Sequence, residues 1–89
     1  MDKKTIQALK ARAHGLKPVV MIGDKGLTDA VLAETNIALD AHELIKIKIS
    51  GHDRENKQTI AQELCHELDA QLIQKIGNII VVYRLNPDK

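Results

Sequence analysis

The 89-residue chain carries a net charge of +1, a single aromatic residue, Tyr83, and a single cysteine, Cys65. A chain of this length forms one domain, predicted to span residues 1–89, whose core must be built from branched aliphatic side chains. The composition excludes an aromatic base-stacking platform, an internal disulfide, a cysteine-rich zinc site and a membrane span, and predicts a cytoplasmic protein.

The first predicted element is a helix over residues 3–14, where apolar residues recur at helical spacing before Gly15 and Pro18 end it. Residues 1–20 hold five cations and one acid, a net charge of +4, whereas residues 21–40 hold one lysine and four acids, a net charge of −3. One side of the helix carries a polar, basic stripe, which is either a binding surface or an ordinary solvated face. The stripe consists of Lys3, Gln7, Lys10 and His14.

Residues 18–22 form a continuous apolar run, which predicts a strand that is central in a sheet or covered on both faces. Gly23-Asp24-Lys25-Gly26 then joins this strand to a helix over residues 28–41, with Thr28 as its N-cap. Two glycines permit positive φ and close approach of a ligand, and the helix start attracts phosphate. Glycine is common in such connections, so the loop alone favours an ordinary turn over a phosphate-binding site.

Residues 43–49 alternate, which predicts a strand with isoleucines on its core face and Lys46 and Lys48 on a wet face. After a break at 50–52, a third helix is predicted to begin at Asp53 and to place Arg54 and Lys57 in its first turn. Cations there oppose the helix dipole, so either an anionic partner or the neighbouring acids compensate them.

Strands over residues 72–76 and 79–84 flank the two-residue hairpin Gly77-Asn78, and the polar tail over 86–89 is predicted to fray. The element order is therefore α-β-α-β-α-β-β, with parallel crossovers and one antiparallel strand. This pattern predicts an α/β two-layer sandwich in which three helices cover one face of a mixed four-stranded sheet. The other face is expected to present Lys46 and Lys48 to solvent.

No arrangement of residues predicts catalysis. The glycine loop lacks Walker spacing, the four histidines lack the paired spacing of a zinc site, and Cys65 falls on the apolar side of its helix. The chain is therefore predicted to be no enzyme and to bind no metal, cofactor or small-molecule substrate.

Several ordered blocks resemble the CRM-domain family of RNA-binding proteins, and specifically its bacterial YhbY-type members, which associate with precursors of the large ribosomal subunit. The resemblance spans almost the whole chain. It rests on Leu-Lys-Pro-Val-Val-Met-Ile-Gly over 16–23, Gly-Leu-Thr over 26–28, His-Glu-Leu-Ile-Lys over 42–46, Asp-Arg-Glu over 53–55 with Lys57, and Ile-Gly over 76–77 with Val-Tyr-Arg over 82–84.

The resemblance implies a fold similar to the C-terminal domain of translation initiation factor three, with a GxxG loop that binds the RNA backbone as in KH domains. Asp24 departs from the expected pattern, because a basic or neutral residue would suit phosphate contact better. The predicted RNA-binding residues are Lys10, His14, Lys17, Gly23, Asp24, Lys25, Gly26, Thr28, Lys46, Lys48, Arg54, Lys57 and Arg84.

The predicted partner is structured ribosomal RNA within large-subunit precursor particles, bound by a monomer that aids subunit assembly. The alternative hypothesis is a protein-interaction adaptor, in which the open sheet face or the side of Ile37 docks on a ribosomal protein or assembly factor.

Overall fold

Three helices and four strands follow one another in the predicted order, in a computed structural model that describes residues 1–86. Residues 87–89, the end of the predicted domain, lie outside the described residues. In chain order the elements are α1 (Lys3–Ala13), β1 (Pro18–Ile22), α2 (Asp29–His42), β2 (Leu44–Ile49), α3 (Arg54–Leu68), β3 (Gln71–Ile76) and β4 (Ile79–Tyr83).

Side-chain caps start the second and third helices, as predicted. The Thr28 Oγ1 accepts a hydrogen bond of 3.1 Å from the backbone N–H of Val31. Asp53 caps α3 in the same way, since its Oδ1 accepts from the backbone N–H of Asn56 at 2.8 Å. Each cap satisfies one donor that the first helical turn leaves without a partner.

The sheet has the strand order β1-β2-β4-β3. β1 runs parallel to β2, and β4 lies antiparallel between β2 and β3, so the predicted parallel crossovers and the antiparallel addition are confirmed. β1 is an edge strand with Val19 and Met21 exposed, so the prediction of a central or doubly covered strand is wrong here. An apolar run is also compatible with an edge strand that has only one covered face.

The helices occupy both faces of the sheet, which corrects the prediction that all three lie on one face. Adjacent strand residues point to opposite faces, and Leu44 and Ile45 are both buried but belong to separate apolar clusters. Ile45 packs with residues of α2 and α3, whereas Leu44 packs with Leu9 and Ala13 of α1. α1 therefore covers part of the face that was expected to be open.

Asn86 is held by the end of α2 instead of fraying. Its backbone N–H donates to Oε2 of Glu43 at 2.8 Å, and its Nδ2 donates to the carbonyl oxygen of Asp40 at 2.9 Å. The prediction of a frayed tail is therefore wrong for Asn86. The other residues of the tail, 87–89, lie outside the described residues.

Candidate nucleic-acid interface

Three connections meet at one end of the sheet, and we call this surface the loop edge. It comprises the β1–α2 loop (residues 23–28), the β2–α3 loop (residues 50–53) and the β3–β4 hairpin turn (residues 77–78). The backbone N–H of Ser50 donates to the carbonyl of Ile22 at 2.9 Å, and that of Ile49 donates to the carbonyl of Asn78 at 2.7 Å. α2 and α3 both begin here, so the positive ends of two helix dipoles face the same side.

The β1–α2 loop is a tight turn in which its two glycines have different roles. The Gly26 N–H donates to the Gly23 carbonyl at 3.0 Å, and Gly26 is buried with φ of 68°, a left-handed conformation that glycine adopts without strain. Gly23 is exposed, its φ lies outside that region, and an added Cβ would meet no atom within 4 Å. The fold thus requires glycine at 26, whereas glycine at 23 mainly leaves the main chain open to a ligand.

The tip of this loop presents free donors. Lys25 is exposed, and within residues 1–86 the backbone N–H groups of Asp24 and Lys25 have no hydrogen-bond partner. The Asp24 carboxylate is directed at the β2–α3 loop, where any side chain on Gly51 would collide with it. Gly51 has φ of 80°, so glycine suits this position in conformation as well as in space. The acid that departs from the expected pattern therefore points across to the neighbouring loop.

His52 supports the loop from the β2–α3 side, and sequence reasoning missed this role. Its Nε2 lies 2.9 Å from the carbonyl oxygen of Gly23. A carbonyl can only accept, so the ring must carry its proton on Nε2 to form this hydrogen bond. The two residues are 29 positions apart in the chain, and no local pattern relates them.

The α1 side of the sheet brings four of the predicted residues together, and we call this surface the basic face. Lys10 of α1 and His14, which follows the last residue of α1, line a shallow hollow with Lys46 of β2. Lys48 is exposed on the same face, two residues further along β2 toward the loop edge. The basic face consists of Lys10, His14, Lys46 and Lys48.

Arg54 and Lys57 lie at the hairpin end of the loop edge, in the first turn of α3. Arg54 is exposed, while Lys57 is half-buried and its Nζ donates to Oδ1 of Asn78. Strands lie about 4.8 Å apart, so β1 and β3 at the two ends of this edge are separated by about 14 Å.

Lys17 is not brought to the loop edge. It precedes β1, whereas the glycine loop follows this strand, and six extended residues span about 20 Å. Lys17 instead lines a hollow with Arg12 and His42 at the opposite end of the sheet.

Arg84 is also placed away from the loop edge, and its guanidinium is already engaged. Nη1 donates to Oδ1 of Asn36 at 2.8 Å and to the carbonyl of Leu68 at 2.9 Å. Nη2 donates to the carbonyl of Asn36 at 3.2 Å and pairs with Oδ1 of Asp40 at 2.8 Å. Arg84 therefore joins the end of β4 to α2 and to the last turn of α3, in a structural position that the sequence-based site did not foresee.

Cys65 is half-buried against the core, and burial raises the pKa of its thiol from 9.0 to about 11. The thiol is therefore protonated at neutral pH, which makes it a weak nucleophile. No group of three His, Cys, Asp or Glu side chains within residues 1–86 could hold a metal ion. None of the three helices in that part of the chain is long and apolar enough to cross a bilayer.

Comparison with known proteins relates the chain to RNA-binding proteins. The family model described as the CRS1 / YhbY (CRM) domain matches residues 1–84. An RNA-binding protein of Haemophilus influenzae is 51% identical over 84 residues, which cover 94% of this chain and 85% of that protein. A probable RNA-binding protein of Pseudomonas aeruginosa is 44% identical over 78 residues, covering 88% of this chain and 75% of that one.

A solved structure shares the fold. A hypothetical protein of Staphylococcus aureus, determined in solution and described as a candidate RNA-binding protein, superimposes with a TM-score of 0.84. The two sequences are 28% identical, and the match covers 96% of this chain and 88% of that chain. The likeness confirms the predicted α/β class, the three helices and the mixed four-stranded sheet.

Proposed function

The chain belongs to the CRS1 / YhbY (CRM) domain family, and from this premise we propose that it is a non-enzymatic protein that binds the backbone of structured ribosomal RNA. The names of its relatives support RNA as the partner. We further propose that it acts as a cytoplasmic monomer and aids assembly of the large ribosomal subunit, as the resemblance to YhbY-type proteins implies.

One observation carries the proposal: the open main chain of the glycine loop. Gly23 leaves space at the surface, and the backbone N–H groups of Asp24 and Lys25 are free to donate to phosphate oxygens. The Lys25 ammonium adds a cation at the tip. Backbone N–H groups and a flexible lysine contact phosphate without reading base identity, so RNA shape supplies most of the discrimination.

The surrounding charges extend this contact in two directions. The basic face leads away from the loop along β2, and Arg54 and Lys57 lie across the loop edge from it. Lys17 and Arg84 are left out of the proposed interface because of where they lie. Thr28 takes part indirectly, by capping α2 and so fixing the direction of its free N–H groups.

The proposal predicts strongly salt-dependent binding to purified large-subunit precursors. If four phosphates are contacted, the affinity should be about 100-fold lower at about 200 mM salt than at about 50 mM, because each contact releases counterions. Sedimentation of the protein with precursor particles across this salt range, before and after ribonuclease treatment, measures the effect. Binding that tolerates salt and survives ribonuclease would contradict the proposal.

That contrary result would support the adaptor hypothesis. Its supporting observation is the side chain of Ile37, which is 68% exposed on α2, away from the basic face. A protein interface of this kind depends on apolar burial and is weakly affected by salt.

Substitution of Gly23 tests the exposed main chain directly. In Gly23→Ala the added methyl meets no protein atom, so we expect the free energy of unfolding to stay within about 1 kcal/mol of the native value. The methyl would separate RNA from the loop and remove one backbone hydrogen bond, which should weaken RNA binding about fivefold. Chemical denaturation and fluorescence anisotropy with a labelled RNA stem–loop measure the two effects. The matched control, Gly15→Ala, also adds a methyl in open space, and it should bind normally.

A further inference from the structure

A second group of cations converges at the hairpin end of the loop edge. Arg54 and Lys57 from the first turn of α3 and Lys75 from the end of β3 line an open groove of about 390 Å³, together with Gly77 of the hairpin. We call it the hairpin groove. Lys75 was not among the residues that sequence reasoning selected, because β3 is far from α3 in the chain and nothing local relates the two.

The positive charge of the hairpin groove is not balanced by ion pairs. Within residues 1–86 the one salt bridge joins Arg84 to Asp40, far from this groove. Lys57 Nζ donates to the neutral Oδ1 of Asn78, and Lys75 Nζ lies 3.4 Å from the neutral Oε1 of Gln58.

Neither of the two acids at the start of α3 lines the groove. Asp53 uses its carboxylate to cap α3, and Glu55, although in the same turn, does not line the groove. The start of α3 adds the positive end of its dipole. Three cations from two elements thus meet in one open groove, an arrangement that an anion would stabilise.

The polar groups around the groove are also arranged as donors. Because the Asn78 Oδ1 accepts from Lys57, its Nδ2 remains available as a donor in the exposed turn. An arginine fork, two ammonium groups and an amide supply enough donors for the several oxygens of a phosphate, and they do not suit an apolar ligand.

We propose that the hairpin groove is a second phosphate-binding site, which contacts the same RNA as the glycine loop but at a different point of its backbone. This inference rests on the proposed RNA-binding function and adds Lys75 and Asn78 to the interface. Strand spacing places the two sites about 10 to 14 Å apart across the loop edge. Neighbouring phosphates of one strand are closer together than that, so the two sites would contact non-adjacent phosphates of a folded RNA.

The test compares two full-length double variants that lose the same charge. Arg54→Gln with Lys75→Gln removes two cations from the hairpin groove, and Lys4→Gln with Arg12→Gln removes two exposed cations elsewhere. Binding to a fluorescein-labelled RNA stem–loop with single-stranded ends is measured by anisotropy at several salt concentrations. We expect the groove variant to bind about tenfold more weakly, and its slope of log affinity against log salt to be smaller by about 0.7 to 0.9 for each phosphate lost.

Different failures of this test have different meanings. If the native protein does not bind the RNA, the proposed function fails and the inference fails with it. If the native protein binds and the groove variant matches the Lys4/Arg12 control, the hairpin groove is not an RNA contact, although the proposed function stands.

A second measurement separates RNA phosphate from a free anion. Amide NMR signals of Gly77 and Asn78 should shift when the stem–loop is added to the native protein and should shift much less in the groove variant. If inorganic phosphate shifts them and the stem–loop does not, the groove binds free anions, and the inference is overturned.

Discussion

Lys25→Asp is expected to weaken binding to large-subunit precursors by about 10- to 100-fold. The change removes a charge-assisted hydrogen bond, worth about 1.5 to 3 kcal/mol, and replaces it with repulsion of phosphate. The new carboxylate would lie beside Asp24, so the tip of the loop would change from a mixed pair of charges to two acids. Co-sedimentation with purified precursors and anisotropy with the RNA stem–loop give the affinities.

The loss should not come from unfolding. Lys25 is exposed at the tip of the loop, so we expect the free energy of unfolding to change by less than about 0.5 kcal/mol. Lys4→Asp makes the same change in charge on exposed α1 and serves as the matched control. Equal affinities of the two variants would show that net charge matters and the loop does not.

Arg84→Met is expected to lower the free energy of unfolding by about 2 to 3 kcal/mol without a comparable loss of RNA affinity. The side chain is 19% exposed, and its removal leaves the carbonyl of Leu68, at the end of α3, without the donor that Arg84 supplies, and also removes both hydrogen bonds to Asn36. The ion pair itself contributes less, because the Asp40 side chain is 61% exposed and solvent screens the pair. Most of the loss therefore comes from the hydrogen bonds.

Thermal and urea unfolding measure this effect. A loss of 2 kcal/mol corresponds to a fall in Tm of about 8 to 16 °C for a domain of this size. Arg84→Lys keeps the charge but not the planar fork, so it should recover less than half of the lost stability. Arg12→Met, an exposed control, should change Tm little. If a variant at Arg84 kept its stability but lost RNA binding, this residue would have to be counted as part of the RNA interface.

The parts of the fold that were predictable from sequence depend on local patterns. Alternation over residues 45–49 marks β2, Thr28 and Asp53 mark helix starts, and Gly77-Asn78 marks the hairpin. Each pattern reflects backbone geometry within a few residues, so it can be recognised without knowledge of the tertiary structure.

The side of the sheet on which α1 packs was not predicted, although the sequence holds a clue to it. Leu44 precedes the alternating Ile and Lys residues, and β4 is apolar at consecutive positions, so both strands need cover on two faces. The prediction that all three helices cover one face did not take this requirement into account.

The candidate site was predicted where its residues are close in the chain, and missed where distant segments meet. The loop residues 23–26 are contiguous, whereas Arg84 contacts Asn36 across 48 positions and His52 contacts Gly23 across 29. Lys75 similarly joins Arg54 only through the packing of β3 against α3. A cation can therefore be recognised from sequence, but whether it faces RNA or a protein carbonyl depends on the fold.

The central position of β4 has a consequence for how the chain folds during synthesis. β4 follows every other described element in the sequence, yet it lies between β2 and β3. Until residues 79–83 leave the exit tunnel, these two strands have no partner between them, and both apolar clusters lack residues that β4 supplies. Stable structure should therefore form late and in one step, with the nascent polypeptide exposing its aliphatic segments until then.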